Sequence, residues 1–575
     1  MTPKSSPVIV FLCRCFGEID RAIDLKRLAR GIARSRSIAA VEIRDSLCLV
    51  ENLDELYSFF EKDGADRILI GACSWRARGA SVIGGLARQM LHPANIELVD
   101  LREGCAWIHE EKAGITYEKA INLIDMGLAA LEFKGKTEGT AVDTCATALV
   151  IGAGPAGLSA AVSLGKLGIP VHIVERKSEI GGMLTFISSL YTGNRDPNEI
   201  LSPLLEALES DSRIKISTKS RVTSVDGTPG NFNITLFTPE GERRFSAGAI
   251  IVACGARPVI PQGYYRYGRL QNIISQMELE GRLAKASIDA KRIVFIQCVA
   301  ARCKERPYCS TICCPSSLKN AMRVMGAVPG AEAVILHRDI MTQGVNLEDY
   351  YRRAMSMGIR FIRFDPEHPP VIEGEHQVEA VNVYDVLSGK YLRLDADMVV
   401  LSTPLAPHEE NGELARILGL RLDRHGFFSG SEPMHPLTTS VDGLFLCGSA
   451  RWPVSADQAV LQGRAAAMKA FGFLTDSSTK AASASGCIPG PPAGSAFVET
   501  EICSGCGNCV AACPFQACSL LKSDQSTRSF VDKIRCKGCG TCMSVCLNGA
   551  IQIPENNTRR TREMLKSAFS RSGIH

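Results

Sequence analysis

Short apolar runs alternate with longer stretches of helical period along most of the chain, the pattern of open α/β sheets. Val8–Leu12 predicts a strand leading to Cys13, and Asp20 to Arg34 a helical stretch. Two more strands, Arg67–Gly71 and Ile96–Leu101, lead to Cys73 and Cys105. Cysteines therefore fall just past strand ends, where such sheets place ligands. This predicts an α/β unit over residues 1–135 and a short linker over 136–145. From Ala146 to about Thr475 the pattern is that of a long nucleotide-binding domain. It lapses over 476–497, where Ser, Thr, Ala, Gly and Pro predict a flexible connector. A cysteine-rich module follows over 498–555, then a basic tail over 556–575. The tail reads as solvated, with a surface helix packed on a neighbour as the competing reading.

The chemistry begins with cysteine spacing. Cys503, Cys506, Cys509 and Cys513 are followed by Pro514, and Cys536, Cys539, Cys542 and Cys546 repeat the spacing. C-x-x-C-x-x-C-x-x-x-C holds [4Fe–4S] cubanes, three thiolates at one cluster and the fourth reaching to the other. One cluster is assigned Cys503, Cys506, Cys509 and Cys546, the other Cys536, Cys539, Cys542 and Cys513. Paired zinc knuckles are the rival, because C-x-x-C also binds zinc. Leu547 replaces the second proline, which bears on the turn rather than on ligation.

A flavin site is predicted upstream. Ala148-Leu-Val-Ile runs into Gly152-Ala-Gly154-Pro155-Ala156-Gly157. The first glycine makes the tight turn, the second lets backbone approach a pyrophosphate and the third lets the helix pack closely. Glu175 ends the next strand, placed for a ribose hydroxyl. Gly181-Gly182, the strand Ile250–Ala253 with Gly255, and Leu444–Leu446 with Gly448 favour FAD over NAD. The expected FAD contacts are Gly152, Gly154, Pro155, Ala156, Gly157, Glu175, Arg176, Gly182, Met183, Gly255 and Gly448.

A second glycine fingerprint is missing. The strand Arg292–Ile296 leads into Gln297-Cys298-Val-Ala-Ala, so a cysteine stands where a pyrophosphate loop would be. Direct hydride exchange with NAD(P)H is therefore not expected. Cys298, Cys309, Cys313 and Cys314 are predicted to hold a third cubane, with Cys303 spare; unligated core cysteines are the alternative.

Composition narrows the setting. With 575 residues the chain exceeds one core, and a net charge of +4 argues against nucleic-acid binding. No export signal or apolar run long enough for a membrane span is evident. Twenty-three cysteines without export features indicate a reducing compartment, the cytoplasm.

Together these residues resemble the A-type subunit of heterodisulfide reductase. The most specific likeness is Gln297-Cys298-Val299 through Arg306-Pro-Tyr-Cys-Ser-Thr-Ile-Cys-Cys314, with Ala300 in place of a glycine. Cys13-Arg-Cys15-Phe-Gly17, Ala72-Cys-Ser74 and Arg102-Glu-Gly-Cys-Ala-Trp-Ile-His109 extend it to the N-terminus. The resemblance implies a multidomain α/β protein: an N-terminal cluster-binding domain, a thioredoxin-reductase-like, Rossmann-type FAD domain and a C-terminal two-cluster ferredoxin-like α+β domain. It also implies an N-terminal cluster on Cys15, Cys48, Cys73 and Cys105, with Cys13 competing, and hence about four [4Fe–4S] clusters. Lys319 corresponds to a lysine placed near the flavin ring; a surface lysine is the alternative.

The implied role is an electron-transfer subunit and candidate site of electron bifurcation, active within a hetero-oligomer, a dimeric one included. Its partners would be B- and C-type heterodisulfide reductase subunits, a hydrogenase- or formate-dehydrogenase-linked donor, and ferredoxin. Two departures stand out: no room for an inserted ferredoxin domain between Gly182 and Ile214, and no cysteine motif for a disulfide substrate. Rival roles are an electron relay in a benzoyl-CoA reductase or quinone-linked complex, a stand-alone NAD(P)H-dependent reductase, and a structural hub.

Overall fold

The computed structural model describes residues 7–34, 38–49, 67–79, 82, 86, 95–109, 113–133, 144–191, 193–431, 435–475, 494–522, 526–554 and 557–570. Most of the expected linkers over 136–145 and 476–497 lie outside the described residues. The chain forms two compact units: Val142–Ser477, and a unit that joins Met1–Ala141 to Ser478–His575.

The joined unit contains a parallel sheet in the order Ile38–Arg44, Val8–Cys13, Arg67–Ala72, Ile96–Asp100. Val8–Cys13 is buried along its whole length, as a central parallel strand must be. The helix Leu25–Ile32 starts later than the periodicity alone predicts, because the Asp24 side chain caps it by accepting from the Arg27 N–H. Residues 496–553 form two short antiparallel ribbons, Phe497–Val498 with Ile551–Gln552 and Cys518–Lys522 with Thr527–Val531.

The solvated-tail reading is corrected. Thr558–Ser570 is a helix packed along the helix Ala113–Glu132. Arg560 reaches Glu97 at 2.7 Å, with both side chains under 14 % exposed, and Arg559 lies over the Phe133 ring. A basic run looks solvated until its acid, here far away in sequence, is brought beside it.

The other unit carries two five-stranded parallel sheets. One runs Leu444–Leu446, Ala249–Val252, Ala148–Ile151, Val171–Val174, Ile214–Ser217. The second runs Ile273–Ser275, Met398–Leu401, Arg292–Ile296, Glu332–His337, Arg360–Arg363. Both dinucleotide-type sheets are thus present, although only the first leads into a glycine fingerprint. No helix among the described residues is long and apolar enough to cross a membrane.

Candidate flavin and iron–sulfur sites

The glycine fingerprint turns from the strand Ala148–Ile151 into the helix Pro155–Lys166. Gly152 has φ +107°, and a Cβ there would lie 2.4 Å from the Ala253 carbonyl oxygen. A Cβ on Gly157 would lie 1.9 Å from the Gly152 carbonyl oxygen, so only glycine lets helix and strand approach this closely. Gly154 and Gly182 face one another, and Pro155 begins the helix where its missing N–H costs nothing. Met183 follows in the short helical turn Gly182–Thr185, and Gly448, at φ +64°, packs against Ala156. Gly255, at φ +74°, has open space around its missing side chain.

Glu175 is 9 % exposed. Its carboxylate accepts the Ala153 N–H at 2.8 Å and the Lys177 N–H at 2.9 Å, which pins it beside the glycine loop. Arg176 points elsewhere, donating to Glu410 at 3.0 Å and contacting His408 at 2.8 Å. Burial and the Arg176 charge hold His408 down at about 4. These elements form a cradle for a pyrophosphate, with free N–H groups at the helix start and a carboxylate for a ribose.

In the second sheet, Arg292–Ile296 is followed by a loop that gathers the predicted cysteines. Cys298 lies within electrostatic reach of Cys314 and Cys309, and burial pushes its thiol to about 11. Cys313 and Cys314, at the start of the helix Cys313–Ala327, lie within electrostatic reach of one another, and Cys313 also of Cys298 and Cys309. Cys303 instead faces Glu305. Cys298, Ala300, Arg302 and Thr311 all have positive φ, a concentration of strain that marks a loop shaped for a purpose. Arg302 presents its guanidinium to Cys298 while pairing with Asp339 at 2.7 Å. Beside Cys298, the Gln297 side chain is 1 % exposed and neither of its amide atoms has a hydrogen-bond partner. A bound group or water would satisfy it.

Lys319 is not a surface lysine. It is 2 % exposed, donates to the Ser189 carbonyl at 2.9 Å and pairs with Glu280. Ser188 donates its N–H and hydroxyl to the other Glu280 oxygen, at 2.9 and 2.6 Å. Burial pulls the Lys319 ammonium below its ordinary value, with Glu280 opposing. Burial would raise the Glu280 carboxyl, but Lys319 and Ser188 together hold it low. The lone clue to Glu280 in the sequence is an acid between Leu279 and Leu283 on a buried helix face.

In the C-terminal segment, two cavities sort the eight cysteines. One is lined by Cys503, Cys506, Cys509 and Cys546, the other by Cys513, Cys536, Cys539 and Cys542. Sulfur acceptors are served by backbone N–H groups: Ser529 to Cys503 at 3.4 Å, Ala550 to Cys546 at 3.2 Å, Ala517 to Cys513 at 3.3 Å and Ala496 to Cys536 at 3.3 Å. Among the described residues, no three His, Cys, Asp or Glu side chains converge on a single metal ion. Zinc needs its thiolates about 2.3 Å from one point. A cubane presents a separate iron to each thiolate, so spread cysteines around a cavity fit it better. A ninth cysteine, Cys518, lines the second cavity beside Cys542 and draws that thiol down to about 7.

At the N-terminus, Cys13, Cys15 and Cys73 lie within electrostatic reach of one another. Cys48 packs in the same apolar cluster as Cys13. Cys15 and Phe16 have positive φ, and the Cys15 N–H contacts the Cys13 sulfur at 3.3 Å. Arg102 donates to the Cys15 sulfur at 2.9 Å and is held by Glu103 at 2.7 Å. Cys105 stands apart, fully buried, its thiol donating to the Thr116 carbonyl at 3.4 Å. The structure therefore gathers Cys13 with Cys15 and Cys73 and turns Cys105 into the core.

Comparison with known proteins agrees with this division. Residues 146–296 match the pyridine nucleotide-disulphide oxidoreductase family, and residues 502–551 match the 4Fe-4S dicluster domain. The chain is 28 % identical to an iron-sulfur A-type subunit of the CoB–CoM heterodisulfide reductase of Methanopyrus kandleri, over 91 % of this chain and 92 % of that protein. It is 27 % identical to the A-type subunit of the H2/formate:CoB-CoM heterodisulfide,ferredoxin reductase of Methanococcus maripaludis, over 90 % and 91 %. Among solved structures it is similar to Lactococcus lactis thioredoxin reductase, with 20 % identity over 57 % of this chain and 99 % of that one, at a TM-score of 0.42. A pyridine nucleotide-disulphide oxidoreductase domain and a 4Fe-4S dicluster domain in one chain make it an oxidoreductase that carries electrons by flavin and iron–sulfur chemistry. Over about nine-tenths of its length the chain is similar to heterodisulfide reductase A-type subunits.

Proposed function

We propose that this chain is the electron-distributing component of a heterodisulfide reductase-like complex, dividing electron pairs held at FAD into single electrons sent along about four clusters. FAD supplies a carrier that exchanges one or two electrons, whereas a cubane passes one at a time. One observation carries the reading. The second nucleotide-type sheet is intact, yet the loop after Arg292–Ile296 brings Cys298, Cys309, Cys313 and Cys314 together instead of offering a glycine cradle. A sheet that would present a nicotinamide instead presents four cysteine sulfurs, so electrons reach the flavin through proteins.

The chain's own residues serve that role. Gly152, Gly154 and Gly157 hold the pyrophosphate close, Glu175 holds the ribose, and the buried Lys319 ammonium favours negative charge on the reduced ring. Arg302 offsets the charge of thiolates at the inner cluster. The partners would be B- and C-type subunits, a hydrogenase- or formate-dehydrogenase-linked donor, and ferredoxin, within the cytoplasm. Electron bifurcation would need widely separated flavin potentials.

Iron and flavin quantification on anaerobically purified protein tests the cofactor count. The expected result is about sixteen iron per FAD; about eight would leave only the C-terminal module loaded. Stopped-flow mixing with NADH and NADPH tests the electron source. Prompt flavin bleaching by the isolated chain would overturn the proposal.

A further inference from the structure

The two C-terminal cluster cages are related by an internal repeat, each residue matching the one 33 positions on, Cys503 with Cys536 and Cys513 with Cys546. The hydrogen bonds obey the same relation. Ala517 donates to Cys513 as Ala550 does to Cys546, and Ser529 donates to Cys503 as Ala496 does to Cys536. Against so close a correspondence, the departures identify what distinguishes the cages.

Two departures offset one another. The Ser529 hydroxyl lies 3.1 Å from the Cys509 sulfur in the first cage, and the Thr541 hydroxyl lies 3.3 Å from Cys539 in the second. Two others do not. Cys518 lines the second cavity, and its counterpart Ile551 lines the first. Lys537 lines the second cavity, and its counterpart Ser504 lines the first. A 6 % exposed thiol packed with Cys542 thus replaces an alkyl group, and a lysine replaces a hydroxyl.

Reduction adds a negative charge to a cluster, and hydrogen bonds to its sulfurs and nearby positive charge stabilise that state. Both uncompensated departures act in the same direction and on the same cage. We propose that Cys518 and Lys537 make the cluster held by Cys513, Cys536, Cys539 and Cys542 the stronger electron acceptor of the pair. Its neighbour is left at the lower potential. This rests on the two-cluster reading of the segment. It gives the module a direction: an electron entering at the Cys503 cluster moves downhill to the other.

The test is a reductive titration of the full-length protein, purified anaerobically and followed by EPR, with iron measured on the same samples. The wild type is expected to show two separated ferredoxin-type midpoints. Cys518→Ile is expected to lower the higher midpoint by a tenfold change in electron partition, about 59 mV for one electron, leaving the lower one in place. Lys537→Ser is expected to shift the same midpoint down. The reciprocal Ile551→Cys is expected to raise the lower midpoint. Cys518→Ser keeps a hydroxyl donor and is expected to shift less; it replaces Cys518→Ile should that variant lose iron. Full iron with unmoved midpoints, or movement of the lower midpoint by Cys518→Ile, overturns the inference. Wild-type iron short of two clusters in this module would overturn the reading beneath it.

Discussion

Removing the Lys319 ammonium while keeping its length, as Lys319→Met, tests stability and redox tuning together. The ion pair with Glu280 is almost fully enclosed, its side chains 3 % and 4 % exposed. At hydrogen-bonding distance and an effective dielectric near 20, the attraction is about 6 kcal/mol before desolvation is charged against it. Taking one partner away strands the other in a dry site, which costs about 3–5 kcal/mol. Ser188 would still donate to Glu280, so the lower half of that range is expected. The assay is a double-mutant cycle with Glu280→Gln, using urea unfolding followed by flavin release. Lys319→Met should lose about 3 kcal/mol, and the double variant should recover at least about 1.5 kcal/mol of it as coupling energy. Flavin potentials should fall most in Lys319→Met, where the Glu280 anion is left without its cation, and return toward wild type in the double variant, where both charges are gone. A single variant within about 0.5 kcal/mol of wild type, or a coupling near zero, would refute the reasoning.

Three further outcomes follow from the geometry. Cys298→Ser should remove about four iron per chain, whereas Cys303→Ser, which alters the cysteine facing Glu305, should leave iron content and EPR spectra unchanged. Gly157→Val would place carbon 1.9 Å from the Gly152 carbonyl oxygen, so FAD affinity should fall at least about 100-fold, measured by flavin retention on gel filtration. Arg560→Ala removes the cation paired with the largely buried Glu97 carboxylate and should cost about 2–3 kcal/mol, seen as faster proteolysis of the Thr558–Ser570 helix.

Where chemistry fixes local spacing, the sequence was readable. The flavin turn needs glycine at three set positions, and the C-terminal cubanes need cysteines at set intervals, so both could be placed by number. The inner cysteine loop was readable for a similar reason: Cys313-Cys314 opens a helix directly after a strand that lacks its fingerprint. Sites assembled from distant segments were not. Glu280 meets Lys319 only because two helices pack, and nothing near Lys319 in the chain announces an acid. Arg102 reaches Cys15 across 87 residues. The N-terminal cysteines sit on separate loops, and which of them share a face depends on strand register. Charge patterning misled at the C-terminus, where Glu97 and Phe133 supply partners that a linear reading of Arg559 and Arg560 cannot see.

The union of Met1–Ala141 with Ser478–His575 has a consequence for how the protein is made. The intervening segment, Val142–Ser477, must be synthesised before the helix Thr558–Ser570 can reach the helix Ala113–Glu132. At roughly 5–20 residues per second, the ribosome leaves the first part waiting about 20–80 s for its complement. During that interval the surface of Ala113–Glu132 that later receives the C-terminal helix, together with Glu97, is uncovered. A newly made chain therefore passes through a stage in which its Val142–Ser477 unit can already be complete while its first segment still lacks its complement.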